Sequence, residues 1–358
     1  SQVNATTDVE YIKDTSLDFC KKQNLKAAMV KSIGLLQNSS FDEISQVIND
    51  SLKLGIDNEE GYDWKRDFEE RFKPRFRNPI TTGWDLIDDI SKGGLGQKEL
   101  GVVIAPTGAG KSMALVHLGT QALREGKTVV HYTLELQDTV VASRYDSCLT
   151  KIPLQSLTSF KEKIYEEVLD IEGKLIVKEY PTKTASTQTI RGHLEKLRMR
   201  NIDVDMIIID YGDLLRPVRY QKEKRNELES IYEELRGIAA EYEAPVWTAS
   251  QTNRSGLNAE VITMESISEA FNKCFVADFI FSISRTIDDK TTNSGRLFIA
   301  KNRNGPDGLV FPLFMDTSNV CIKVLEPSEE DELVEVSAKK QKENLVEKYK
   351  KFKKNNGG

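Results

Sequence analysis

A short apolar run, Leu100-Gly101-Val102-Val103-Ile104, passes without a break into Ala105-Pro106-Thr107-Gly108-Ala109-Gly110-Lys111-Ser112 and then into a helical pattern. This segment restricts the fold more tightly than any other. A strand, a Gly-rich turn and a helix in that order make successive backbone N–H groups converge at the positive end of a helix, and such a concavity holds a polyphosphate. Lys111 then reaches the β- and γ-phosphates, and Ser112 is placed to ligate Mg²⁺. Ala105 stands where the usual pattern has Gly. A side chain is tolerated there if the position precedes the tight turn and needs no positive φ. ATP with Mg²⁺ is therefore the expected ligand.

The whole chain agrees with an intracellular enzyme. Its 358 residues suffice for one large core with appendages, or for two domains. With a formal charge of −6 there is no global positive field, so any contact with nucleic acid has to be local. Cys20, Cys148, Cys274 and Cys321 form no CxxC pair and read as buried thiols of a reducing compartment; His117, His131 and His193 lack metal-ligand spacing. No apolar run is long enough to cross a membrane and no signal-peptide pattern occurs, so we expect a cytoplasmic protein without a membrane partner.

Three zones follow one another. Residues 1–78 read as a polar helical region, with Thr7 and Glu10 spaced as a capping box, Val9, Ile12, Ser16, Phe19 and Cys20 along one face, and Ile44, Val47, Ile48 and Leu52 along another. Such stripes without a core of their own need a partner surface. Residues 79–326 alternate β-rich runs with helical patterns, which implies an α/β fold with a mainly parallel sheet flanked by helices. The runs are 100–105, 128–134, 174–178, 204–210, 245–249, 278–284, 296–301 and 309–314, with helices over Leu115 to Leu123, Gln188 to Arg200 and Glu223 to Tyr242. Residues 327–358, acidic and then lysine-rich, read as a solvated tail.

Three further strand ends carry chemistry. Val204 to Asp210 is an apolar strand ending in a carboxylate, which after a P-loop is placed to hold Mg²⁺ or its water; alone it would read as a turn residue. Glu135 follows the run Val129 to Leu134, either as a base that orients the attacking water or as a cap for the helical residues beyond it. Gln251 ends Pro245 to Ser250, either as a sensor of the γ-phosphate or as a simple strand cap.

These segments also occur together in one family. Thr81 to Asp88, the P-loop with its opening Ala105, Thr133 to Leu136, Ile209 to Tyr211, Ser250 to Arg254 and Lys301 to Gly308 resemble, in kind and order, the RecA-fold motor domain of DnaB-type replicative helicases. The stretch Val9 to Trp64 looks most like the replicative helicases of T-even-type phages, and the resemblance covers roughly residues 8–326. It implies that Glu135 is the catalytic base, Asp210 the Mg²⁺ ligand and Gln251 the γ-phosphate sensor. Lys301 and Arg303 fall on the pair that reaches the neighbouring subunit's nucleotide, where an arginine finger contributes about 10³–10⁵ in rate. Read locally, Lys301 to Gly308 is a hairpin turn, and both readings can hold at once. No counterpart of the family's N-terminal collar is recognisable, which leads us to expect a shortened chain, and no collar function is carried over.

The same resemblance implies two DNA-facing loops. The first offers Arg216, Arg219, Lys222, Lys224 and Arg225, enough to neutralise backbone phosphates with little base preference; alone it would read as a solvated helix start offset by Glu223 and Glu227. The second offers Asn253, Arg254 and Asn258. The expectation is an ATP-dependent helicase motor working as a homo-oligomeric ring, hexameric by the family's habit, around single-stranded DNA. Its N-terminal helices would pack on the adjacent subunit, and primase and a helicase loader are candidate partners. The alternatives are a RecA-type recombinase, against which Arg303 stands where that group has a second lysine, and a regulatory ATPase that never translocates.

Overall fold

The computed structural model describes residues 77–252 and 274–326 continuously, with residues 25–36 and shorter stretches between 43 and 72. The proposed stripe from Val9 to Cys20, Leu52, the second DNA loop with Asn253, Arg254 and Asn258, and the tail beyond 326 lie outside the described residues. What is described falls into two compact units: the residues before Arg77 together with Ser186–Lys196, and Arg77–Ala185 together with the chain from Leu197 onward.

In the first unit, residues 25–36 form a helix that buries Ala28 and Ser32 and leaves Met29, Val30, Ile33 and Leu36 exposed. Ile44, Val47 and Ile48 are helical and half-buried, and Phe68–Arg71 is a turn of 3₁₀ helix.

The second unit is built on nine strands: β1 Leu100–Ala105, β2 Thr128–Thr133, β3 Lys174–Glu179, β4 Met206–Asp210, β5 Val246–Gln251, β6 Phe279–Ser284, β7 Ser294–Asn302, β8 Val310–Asp316 and β9 Cys321–Val324. Their order across the sheet is β3-β2-β4-β5-β1-β6-β7-β8-β9. From β3 to β6 every pairing is parallel, and from β6 to β9 every pairing is antiparallel. From Arg77 onward the helices are α1 Asp85–Ser91, α2 Lys111–Arg124, α3 Asp138–Thr150, α4 Lys161–Leu169, α5 Thr187–Arg198, α6 Lys224–Glu241 and α7 Ile287–Thr291, of which α5 falls mostly in the first unit.

The central strands are buried on both faces, which is why they read as continuous apolar runs and not as alternation. Val103, Val129, Ile208, Trp247 and Phe281 share one cluster with Ala114, Leu115 and Leu118 of α2. By the period of two, Val102, Ile104, Ile207 and Ile209 point the other way and are equally inaccessible. That second face is the side of α6, whose Tyr232 and Leu235 approach Gly212 beside Thr248. No helix among the described residues is long and apolar enough to cross a membrane.

Candidate active site

Parallel register brings the carboxyl ends of four adjacent strands to one edge. Ala105 lies opposite Gln251, and Thr133 opposite Asp210, so the P-loop, Glu135, Asp210 and Gln251 emerge side by side in the crevice where open α/β sheets bind ligands. The P-loop itself turns at Gly108 (φ 73°) and Gly110 (φ 106°), conformations that a side chain would strain. A Cβ on Gly110 would also strike the Met315 side chain. Ala105 is the last residue of β1 and has no positive φ, so its departure from Gly is harmless.

Lys111 opens α2 and is almost inaccessible, its Nζ donating to the carbonyls of Ala105 and Pro106 at 3.3 Å each. Burial lowers the pKa of its ammonium, opposed by the carboxylates of Glu135, Asp210 and Asp213. Asp210 at the end of β4 is 1 % exposed, and neither of its carboxylate oxygens has a hydrogen-bond partner among the described residues. Burial pushes its pKa up to about 6, with the Glu135 charge adding to the rise and Ser112, Arg144 and Lys111 opposing it. The Ser112 hydroxyl is thus close enough to act on the carboxylate without satisfying it. A buried carboxylate with two free acceptors beside a hydroxyl suits a hard divalent cation. No cluster of three or more His, Cys, Asp or Glu side chains exists among the described residues, so such an ion would draw its other ligands from phosphate and water, as Mg²⁺ does.

Glu135 is exposed in the bend between β2 and α3. α3 starts at Asp138 with Gln137 as its N-cap residue, so Glu135 sits too early to cap it, and that alternative falls. Its position is set from both sides: Leu134 N–H donates to the Asp210 carbonyl at 2.9 Å, and Thr133 Oγ1 donates to the Leu136 carbonyl at 2.8 Å. Gln251 is more than a strand cap. Its Nε2 donates to Thr107 Oγ1 of the P-loop at 2.7 Å, its Oε1 accepts from the Tyr211 hydroxyl at 3.2 Å, and its own N–H donates to Asp213 Oδ2 at 3.3 Å.

Two residues near this edge were missed in the sequence. Arg144 on α3 faces Asp210 and Glu135, whose charges oppose the lowering of its pKa by burial. Nothing in the local pattern of α3 marks it, because its neighbours are contributed by β2 and β4. Tyr220, 76 % exposed, lies between the exposed Arg219 and Lys222 in the segment leading to α6. Aromatic interleaving with basic residues was the legible sign there.

The first basic segment follows β4 at the same edge. Arg219, Lys222 and Arg225 are exposed, Lys224 is the first residue of α6, and Arg216 is half-buried with its N–H donating to the Ala185 carbonyl at 2.8 Å. Lys301 and Arg303 lie elsewhere. Lys301 pairs with Ile280, and Arg303 N–H donates to the Asp278 carbonyl, level with Leu100 at the start of β1. Leu100 to Ala105 is five residue steps, so Arg303 stands about 17 Å back along the strand direction from the P-loop of its own chain. Both sit where the hairpin β7–β8 turns, as the local reading had it.

A phosphate cradle at the carboxyl edge of a doubly covered, mainly parallel sheet, with a buried carboxylate closing the neighbouring strand, defines a P-loop nucleoside-triphosphatase fold of the RecA-like kind. The model of the DnaB-like helicase C-terminal domain matches residues 79–319, and the chain belongs to that family. It is 29% identical over 258 residues to the DnaB-like replicative helicase of Enterobacteria phage T4, a match covering 68% of this chain and 54% of that protein. To the replicative DNA helicase DnaB of Mycoplasma genitalium it is 25% identical over 280 residues, covering 71% of this chain and 58% of that one. The chain therefore spans about half the length of the curated relatives it matches. Among solved structures, an isolated ATPase domain superposes with a TM-score of 0.61 at 18% identity, over 73% of this chain and 96% of that one. A DnaB-like replicative helicase described with its interactions with primase superposes at 0.65 and 17% identity, over 88% and 78%.

Proposed function

We propose that this chain is the ATP-driven motor of a replicative DNA helicase, working as a homo-oligomeric ring around single-stranded DNA. The observation that carries the reading is a division of labour along the sheet. Lys111, Ser112, Glu135, Asp210 and Gln251 meet at the carboxyl edge, whereas Lys301 and Arg303 stand at the other end, too far back to serve the same nucleotide. An incomplete site in one subunit and displaced cations in the same subunit are what a ring of like subunits reconciles.

Each residue has a task that its surroundings support. The P-loop N–H groups and Lys111 bind the β/γ-phosphates of ATP. Mg²⁺ held by Ser112 and Asp210 would neutralise charge on the β- and γ-oxygens. Glu135, exposed and held from both sides by Leu134 and Leu136, accepts the proton of the attacking water. Gln251 bonds the P-loop Thr107 and leads into the segment after β5, so a change at the γ-phosphate is handed to a DNA-facing loop, with Asn253, Arg254 and Asn258 in that segment. Arg303 and Lys301 supply positive charge to the neighbour's transferring phosphoryl group.

The segment after β4 would contact DNA at the same edge. Arg219, Lys222, Lys224 and Arg225, with Arg216 behind them, face the phosphates, and Tyr220 offers a ring to a base. Lys224 and Arg225 open α6, where the helix dipole favours acidic residues, so helix stability does not explain them. Residues 1–78 would serve as the subunit-packing region, 79–326 as the motor and 327–358 as a solvated tail. Primase and a loader are candidate partners, and the host cytoplasm the place of work.

The test is ATP hydrolysis with and without single-stranded DNA, together with strand displacement on a forked duplex. Turnover stimulated by DNA, and displacement, are expected of the chain; Lys111→Ala should lose nucleotide binding or turnover, and Glu135→Gln should bind ATP without hydrolysing it. Vigorous hydrolysis by assembled rings that never displace a strand would favour a regulatory ATPase instead.

A further inference from the structure

We propose that Asp278 is the residue that positions Arg303 for its reach to the neighbouring subunit, an inference that rests on the trans role given to Arg303 above. Asp278 sits just before β6, with its side chain 6% exposed. Its carboxylate is shared three ways. Oδ1 lies 3.1 Å from a guanidinium nitrogen of Arg303 and 3.1 Å from Nη2 of Arg236. Oδ2 accepts from Arg236 Nε at 3.2 Å and from the Leu100 N–H at 3.0 Å. The main chain repeats the link, since Arg303 N–H donates to the Asp278 carbonyl at 3.0 Å and Asp278 N–H to the Leu100 carbonyl at 2.8 Å.

This geometry does two things for a half-exposed arginine. It fixes the base of a long side chain, removing rotamer freedom that would otherwise be lost when the guanidinium meets a phosphate. It also makes the hold releasable. Arg236 keeps both carboxylate oxygens engaged, so Arg303 can swing toward the neighbour without leaving a buried charge uncompensated. Lys301 is held in parallel, its Nζ donating to the Phe275 carbonyl at 2.5 Å and lying 4.4 Å from the centre of that ring. Arg236 belongs to α6, whose first turn carries Lys224 and Arg225, so one carboxylate ties the start of β1 and the helix behind the DNA segment to Arg303.

The test uses mixed rings. Arg303→Ala subunits keep a nucleotide site and lack the finger; Lys111→Ala subunits keep the finger and lack the site, and their mixture should recover ATPase activity. Adding Asp278→Asn to the Lys111→Ala partner should lower the recovered kcat about tenfold, the scale of one lost charge-assisted hydrogen bond, with KM for ATP unchanged. Adding it to the Arg303→Ala partner should change nothing, because there the finger is already gone. Asp278→Glu, which keeps the charge, should restore part of the loss, and it carries the test if the Asn variant does not fold. Equal loss from either partner, or none from the finger-bearing one, overturns the inference. Mixed rings, verified by subunit exchange, that fail to recover while Arg303→Ala alone is fully active would remove the trans role of Arg303 itself, which is a separate failure.

Discussion

A carboxylate that is buried with both oxygens unpartnered destabilises the fold whenever it is charged, and Asp210 is in that position. Its folded pKa of about 6 lies above the ordinary value of 3.8, so the stability it contributes is fully present below about pH 4 and is lost as pH rises through 6. The difference of roughly two units corresponds to about 3 kcal/mol at pH 8. Asp210→Asn should therefore stabilise the metal-free chain by up to that amount at pH 8 and by almost nothing below pH 4, in urea unfolding with a chelator present. The same variant should lose the extra stability that Mg²⁺ and nucleotide give the parent. A pH-independent difference between the two proteins would mean that packing, and not charge, separates them. Asp210 could be found in the sequence because it ends an apolar strand after a P-loop. Asp278 and Arg144 could not, since each is defined by partners distant in the chain or on other elements, and no local pattern encodes those.

At the level of elements, the strand runs were legible wherever both faces are buried. β1 was read to the residue, and β2 and β4 to within two, because a continuous apolar run has sharp ends. The four-residue β9 and the short helices α1, α4 and α7 were not anticipated. Each is too brief for a periodic signal; β9 exists because β8 offers it an edge. The change from parallel to antiparallel pairing after β6 was not legible either, because it depends on the tight β7–β8 turn and on strand neighbours distant in the chain. The segment before α6 can now be dissected more finely. Arg216 is half-buried and its main chain is tied to Ala185, so the exposed Arg219, Lys222 and Arg225 are the residues to neutralise. Their joint replacement by Ala should weaken single-strand binding and reduce the slope of log K against log salt by about 2, at roughly 0.7 per lost phosphate contact. Tyr220→Ala should weaken binding by about fivefold or more while leaving that slope intact, because stacking releases no counterions. An unchanged slope in the triple variant would return this segment to a solvated helix start.

The molecule as a whole carries a second proton-linked strain, placed in its core and opposite in sign to that of Asp210. His117 on α2 stacks on Trp84 with ring centres 4.6 Å apart, and its Nε2 lies 3.0 Å from the Thr82 carbonyl, so that nitrogen carries the proton and Nδ1 is left unpartnered. His131 on β2 meets the Tyr145 hydroxyl at 2.9 Å through Nδ1, with Nε2 unpartnered. Burial lowers both pKa values from 6.5 to about 3. The unfolded chain thus takes up protons that the folded chain refuses, and stability falls as pH drops from about 6.5 toward 3. At pH 5 each histidine costs about 2 kcal/mol, a pair effect of about 4, which exceeds the roughly 1.4 kcal/mol that Asp210 returns over the same interval. Against a typical total of about 5–15 kcal/mol the loss is large. The apo chain should accordingly unfold at distinctly lower urea at pH 5.0 than at pH 7.5. His117→Gln with His131→Gln removes the titrating groups and keeps polar atoms in place. That double variant should be less stable than the parent at pH 7.5, because two packed rings are gone, yet should change far less between the two pH values. If its midpoint falls with acid as steeply as the parent's, the acid sensitivity belongs to other groups, and the two rings are simply packed into the core beneath the nucleotide edge.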